Sequence, residues 1–289
     1  MRITKMFSFI SIVAAVILIA APSFAANDFM ITSRELAGII GKPGVVIVDA
    51  RGEKSYKKRH LSGAVNFPAG LIVELRDEAA IKKSDVAIPV EKAEKLFGEF
   101  GISNDSTIVV YDSPPSVDAA YVWFTLKMYG AENVRILTGG IKAWRKEKRP
   151  LTKAVASITP AVFNADLRSE ILTDADWIMK NRENIQLVDT RSFEEFIGAR
   201  SVGHIPGAFL LEWKDLANAK KTFKSAGEMN EIISNRGISK DKQIVIYCAI
   251  GIRASFVYTA FDMLGYKPKF YWGSMLDWQD DPNRPIGKK

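Results

Sequence analysis

Val45-Val46-Ile47-Val48-Asp49-Ala50-Arg51 is a β-branched run that closes on an acid and an arginine, and Gln186-Leu187-Val188-Asp189-Thr190-Arg191 repeats its design. A run that is continuous rather than alternating predicts a strand buried on both faces, the mark of a parallel sheet covered by helices. Working outward, His60-Leu61-Ser62-Gly63-Ala64 returns as His204-Ile205-Pro206-Gly207-Ala208, and Thr107-Ile108-Val109-Val110-Tyr111-Asp112 returns as Gln243-Ile244-Val245-Ile246-Tyr247-Cys248. Each half then offers a helical run, a glycine (Gly130, Gly265) and a Gly-to-Trp segment (Gly139 to Trp144, Gly273 to Trp278). Repetition at this scale means two homologous domains of roughly 125 residues each. They fall at residues 30–153 and 170–287, with 154–169 between them. The stretch from Pro150 to Pro160 has a proline at each end and no amphipathic period, so it reads as extended linker.

Helical patterns fill the gaps between the strands. Thr32-Ser33-Arg34-Glu35 and Thr173-Asp174-Ala175-Asp176 read as capping-box-like starts, with a hydroxyl to accept from the first turn and an acid at its positive end. From Ala254 to Leu264, apolar residues at Phe256, Val257, Ala260, Phe261 and Leu264 predict a helix with one buried stripe, ended by Gly265. Each domain is therefore an α/β unit with a central parallel sheet flanked by helices. The strand Ile244 to Tyr247 delivers Cys248 to the carboxyl edge of its sheet, where such folds bind ligands.

Composition narrows the classes. With 289 residues, 47% of them hydrophobic, the chain can bury a core in each domain, and general disorder is excluded. The net charge of +7 favours anionic small molecules or surfaces. The basic residues are dispersed, and Lys57-Lys58-Arg59 and Lys288-Lys289 read as solvated faces, so no nucleic-acid partner is expected. One cysteine excludes an intramolecular disulfide, and with only two histidines no metal site is expected. Arg2 and Lys5 precede an apolar run from Met6 to Ala21, and small residues precede a cut after Ala25. Residues 1–25 thus read as a signal peptide, which predicts export to the periplasm or beyond the cell and no membrane contact after cleavage. The apolar run is short for a membrane span, which weighs against an uncleaved anchor.

Because the halves share a fold, what they hold in common is architecture, and what one alone possesses is a candidate for chemistry. His60 and His204 sit at matching places ahead of a Gly-Ala turn and read as histidines fixed by backbone hydrogen bonds. Asp49 with Arg51 and Asp189 with Arg191 read as paired charges closing the loop after a strand; Arg191 is a secondary candidate for attracting an anionic substrate. The first-half strand leads into Asp112-Ser113-Pro114-Pro115-Ser116-Val117-Asp118, whose two prolines lack N–H groups and whose two carboxylates repel anions. Its counterpart, Cys248-Ala249-Ile250-Gly251-Ile252-Arg253, has no proline and no acid, and ends in a guanidinium as a helix begins. Loop amides, a helix start and Arg253 all favour thiolate over thiol, which makes Cys248 the candidate nucleophile. The competing reading, a buried small hydrophobe, sits poorly with a lone free thiol at a strand-to-helix junction beside an arginine.

In these features the chain resembles the rhodanese-type sulfurtransferases in their two-domain form, from about Ile31 to Ile286. The likeness is carried by Val188-Asp189-Thr190-Arg191, Gly203-His204-Ile205-Pro206-Gly207-Ala208, the loop from Tyr247 to Ser255, and Tyr271-Trp272-Gly273-Ser274 leading to Trp278. It implies an inactive first domain, with Asp112 where the cysteine would stand, and a second that carries it. The implied reaction is a double displacement. Cys248 takes the outer sulfur of a small anionic donor such as thiosulfate, becomes a persulfide, and passes that sulfur to cyanide or to a thiol, including that of a thiol protein. The backbone of Ala249, Ile250, Gly251 and Ile252 would cradle the sulfur, Arg253 would hold the donor's anionic end, and no cofactor is called for. Better-known members often carry a second arginine where this chain has Glu195, a carboxylate that disfavours mercaptopyruvate and tilts the expectation to thiosulfate. Two alternatives remain: a non-catalytic persulfide carrier or sensor for a protein partner, and a cysteine phosphatase. The second is disfavoured by a Cys-to-Arg loop one residue shorter than phosphate-binding loops of that kind.

Overall fold

The computed structural model describes residues 29–75 and 88–288. The leader expected at 1–25 lies outside the described residues, and no helix within them is long and apolar enough to cross a membrane. The first half holds strands β1 (Met30–Ile31), β2 (Val45–Asp49), β3 (Ala64–Asn66), β4 (Thr107–Tyr111) and β5 (Val134–Leu137). The second holds β6 (Leu172–Thr173), β7 (Ile185–Asp189), β8 (Phe209–Leu210), β9 (Gln243–Tyr247) and β10 (Lys269–Tyr271). The sheets are ordered β1-β5-β4-β2-β3 and β6-β10-β9-β7-β8, and every pairing is parallel. The central strands are covered on both faces, as their unbroken β-branched runs require. In register, Asp49 lies opposite Tyr111 and Asp189 opposite Tyr247. Asp112 and Cys248, the next residues along, therefore stand at the same place in the two sheets.

The repeated motifs fold as repeated devices. His60 Nδ1 lies 2.8 Å from the Tyr56 carbonyl oxygen and its ring stacks on Tyr56; His204 Nδ1 lies 2.8 Å from that of Phe196 and stacks on Phe196. Both histidines anchor the chain to backbone where it turns. Thr32 forms the expected reciprocal box with Glu35. In the second half the helix start is one residue later than read: Thr173 ends β6, and the Asp174 carboxylate caps Ala175–Asn181 by accepting from the Trp177 N–H at 2.7 Å.

One expectation needs correction. The helix Ile252–Met263 is buried all round from Ala254 to Phe261 rather than along one stripe. One side faces its own sheet, and the other packs on the equally buried helix Val117–Met128 of the first domain. Phe124 meets Tyr258 at 4.8 Å and Phe270 at 4.2 Å, and Tyr121 meets Trp272 at 5.6 Å, so the domains share one core. The connecting segment is extended but fastened. Thr152 bridges to His60, the Ala161 N–H donates to Gly98 O, the Asp166 N–H donates to Tyr129 O, and Phe163 is buried against the first domain.

Candidate active site

β9 ends at Tyr247, and the chain turns through Cys248-Ala249-Ile250-Gly251 before the helix begins at Ile252. Cys248 is fully buried, and its Sγ accepts a hydrogen bond from the Gly251 N–H at 3.1 Å. Gly251 has φ +96°, a backbone state that disfavours any residue with a Cβ, and this turn brings its amide back toward the sulfur. The start of the Gly-to-Trp segment grips the loop from behind: Met275 N–H donates to Cys248 O at 3.1 Å and Leu276 N–H to Ala249 O at 3.1 Å. The Cys248 N–H donates to Ser274 Oγ at 3.2 Å, and that hydroxyl donates to Tyr271 O. The sulfur is thus held where the sequence places it, inside a loop whose backbone is fixed by a second segment.

Arg253 stands one residue into the helix that follows the Cys248 loop. Its guanidinium grips Glu195 with both terminal nitrogens, Nη1 at 2.6 Å and Nη2 at 2.9 Å. The Arg253 guanidinium holds the Glu195 carboxyl down at about 2, well below the usual carboxylate range. The Ser192 capping box aims this carboxylate, with Ser192 N–H donating to Glu195 and Glu195 N–H to the Ser192 hydroxyl. Sequence reading placed Glu195 as a departure near the donor site but missed its partner, because a contact across this chain separation leaves no periodic signal.

Arg191 takes a different place from the substrate-binding one considered for it. It is buried, with Nε and Nη2 on Asp189, Nη2 also on Gly203 O at 2.6 Å, and Nη1 on Ser201 Oγ at 3.1 Å. All three guanidinium nitrogens are bound within the domain, so it closes the strand end as a structural ion pair, as Arg51 does with Asp49. Among the described residues no group of three His, Cys, Asp or Glu side chains is placed to hold a metal.

At the matching place in the first domain, Asp112 Oδ2 accepts from the Ala119 N–H at 3.0 Å, and Asp112 O accepts from the Ile141 N–H as Cys248 O does from Met275. Burial pushes the Asp112 carboxyl up to about 8, so at neutral pH it is mostly uncharged. This domain thus places a buried, mostly neutral acid where the other has a thiol, and of the two acids expected to repel an anion the charge falls to Asp118. The folded chain keeps a proton here that the unfolded chain releases above the ordinary aspartate range, so native stability falls as pH rises from about 4 to about 8. Asp112→Asn, uncharged at every pH, should be the more stable protein at pH 8, with the gap closing toward pH 4. Urea midpoints across that range check this, and a gap independent of pH would refute it.

The profile of the rhodanese-like domain matches the chain twice, over residues 32–147 and 174–281. The chain belongs to the rhodanese-type sulfurtransferase family. The sulfur carrier protein TtuD of Thermus thermophilus is 36% identical over 221 residues, covering 70% of this chain and 78% of its own. A Haloferax volcanii protein named "Putative thiosulfate sulfurtransferase" is 35% identical over 213 residues, covering 68% and 74%. Among solved structures, the 3-mercaptopyruvate sulfurtransferase SseA of Escherichia coli matches with a TM-score of 0.77 at 27% identity, covering 85% of this chain and 98% of that one. In this tandem rhodanese a matching central strand of the two sheets is followed by different residues, Cys248 in one and Asp112 in the other. The second rhodanese domain also has the Glu195–Arg253 pair; Ser55 stands in the first at the position of Glu195.

Proposed function

We propose that the protein transfers sulfane sulfur from thiosulfate to a thiophilic acceptor through a persulfide on Cys248. The supporting observation is the buried sulfur at the end of β9, held by the Gly251 amide in a loop that leads into Arg253. The Cys248 thiolate attacks the outer sulfur of thiosulfate; a new S–S bond forms, the old one breaks, and sulfite leaves with the bonding pair. Cyanide or a thiolate then attacks the outer persulfide sulfur, and Cys248 leaves as thiolate. The Gly251 amide aimed at the sulfur stabilises the anion without reorganisation, and the covalent intermediate divides one hard step into two. Intact mass after thiosulfate treatment tests this. A gain of one sulfur atom that cyanide removes is the expected result; an unchanged mass rejects the persulfide.

A second reading, persulfide carriage to a protein partner, is favoured by a specific observation. Phe193, Val202 and Leu276 are exposed apolar side chains. Phe193 opens the short helix that carries Glu195, and the Leu276 N–H binds the carbonyl next to Cys248. Exposed apolar residues on the segments that carry Glu195 and grip the Cys248 loop suit a partner surface better than a small ion. Repeated thiocyanate release under excess thiosulfate and cyanide favours the enzyme; a single stoichiometric loading favours the carrier. Export with loss of residues 1–25 is proposed with either reading, and N-terminal sequencing of protein from the native host tests it.

A further inference from the structure

Beside the loop that follows Asp112 the first domain holds a cleft of about 350 Å³, lined by Ile141 and Leu151 and by Ser55 and Ser113. Its charged lining is entirely basic. Lys58 and Arg59 come from the end of one helix, and Lys142 and Arg145 lie three apart on the face of another. All four are exposed, and none has a carboxylate within ion-pair reach among the described residues. Arg51 completes the lining. Its Nε and Nη2 bind Asp49 and its Nη2 also binds Arg59 O, whereas Nη1 has no hydrogen-bond partner among the described residues; the matching nitrogen of Arg191 is taken by Ser201.

The second domain controls for chance. Aligned through the His60/His204 and Trp144/Trp278 motifs, Lys58, Arg59, Lys142 and Arg145 correspond to Val202, Gly203, Leu276 and Gln279, all uncharged. The cations are therefore a property of the domain without the cysteine, not of the fold. Four like charges facing one cleft repel one another, and this is relieved only by an anion or by dilution in solvent.

We propose that this cleft is a binding site for a small polyanion carrying two adjacent oxyanion groups, of the diphosphate kind. One tetrahedral ion is small beside a cleft of about 350 Å³ whose cations come from two separate helices. Two linked groups reach both Lys58–Arg59 and Lys142–Arg145, and the guanidinium forks of Arg59 and Arg145 match oxyanion geometry. The site is separate from sulfur transfer and does not depend on it.

Inorganic pyrophosphate and phosphate, titrated calorimetrically into the full chain at low salt, test the site. Pyrophosphate should bind on the order of tenfold or more tighter than phosphate, weakening steeply with salt. Lys142→Gln/Arg145→Gln, at exposed positions that leave the fold intact, should weaken it by about tenfold or more, while Cys248→Ser leaves it unchanged. Equal affinity for the two ions, indifference to the Gln pair, or loss in Cys248→Ser would each overturn the assignment.

Discussion

Cys248→Ser is expected to abolish sulfur transfer, a loss of roughly 10³-fold or more, while Asp112→Ala leaves most of it. The contrast follows from one register position seen twice. Both residues follow a central strand, and both carbonyls accept from the equivalent helix amide, Met275 for Cys248 and Ile141 for Asp112. A serine hydroxyl keeps the volume and the Gly251 hydrogen bond but neither ionises at neutral pH nor forms a persulfide, so chemistry is lost with the fold retained. Asp112→Ala removes a buried acid whose neighbours belong to the first domain. Its effect should appear in stability and reach activity only through the shared core. Thiosulfate-to-cyanide turnover, read beside thermal midpoints, separates the two. Comparable loss of turnover in both variants, each folded, would end the division of labour between the domains.

The repeat, the parallel sheets and the position of Cys248 were legible because each is written in local pattern: β-branched runs, their order, and one substitution between two copies. What escaped was what depends on the meeting of distant segments. The all-round burial of Ile252–Met263 follows from the first domain's helix lying against it, and no periodicity within those residues announces that partner. The linker's composition correctly indicated extended chain, but its attachment to Gly98 and Tyr129 depends on carbonyls far away in sequence. Arg191 matched Arg51 as a closing ion pair, which was the first reading for both; its secondary candidacy for substrate came from charge alone, and burial with three bound nitrogens overrules it. Asp112 was read as a charge, yet burial makes it a mostly neutral group at pH 7.

The Glu195–Arg253 pair should yield the second large effect, with a sign that depends on which partner is removed. Arg253→Ala takes away the cation that follows the Cys248 loop and leaves the Glu195 carboxylate without its partner. A half-buried unpaired carboxylate opposes both the thiolate and an incoming dianion, so kcat/KM for thiosulfate should fall on the order of 10²–10³, the scale for losing one preorganised electrostatic contact. Glu195→Gln does the reverse: it frees the guanidinium for the donor and should lower KM several-fold, with little change in kcat. Because Glu195 titrates at about 2, the pair remains ionised across any practical assay range, and the KM gap between wild type and Glu195→Gln should be flat from pH 5 to 9. The double variant decides between electrostatics and simple loss of packing. With the orphaned charge removed, Arg253→Ala/Glu195→Gln should recover part of what Arg253→Ala loses, a coupling characteristic of groups in direct contact. If the double variant is no better than Arg253→Ala, the carboxylate does not act on the sulfur, and Glu195 serves only to seat its own short helix.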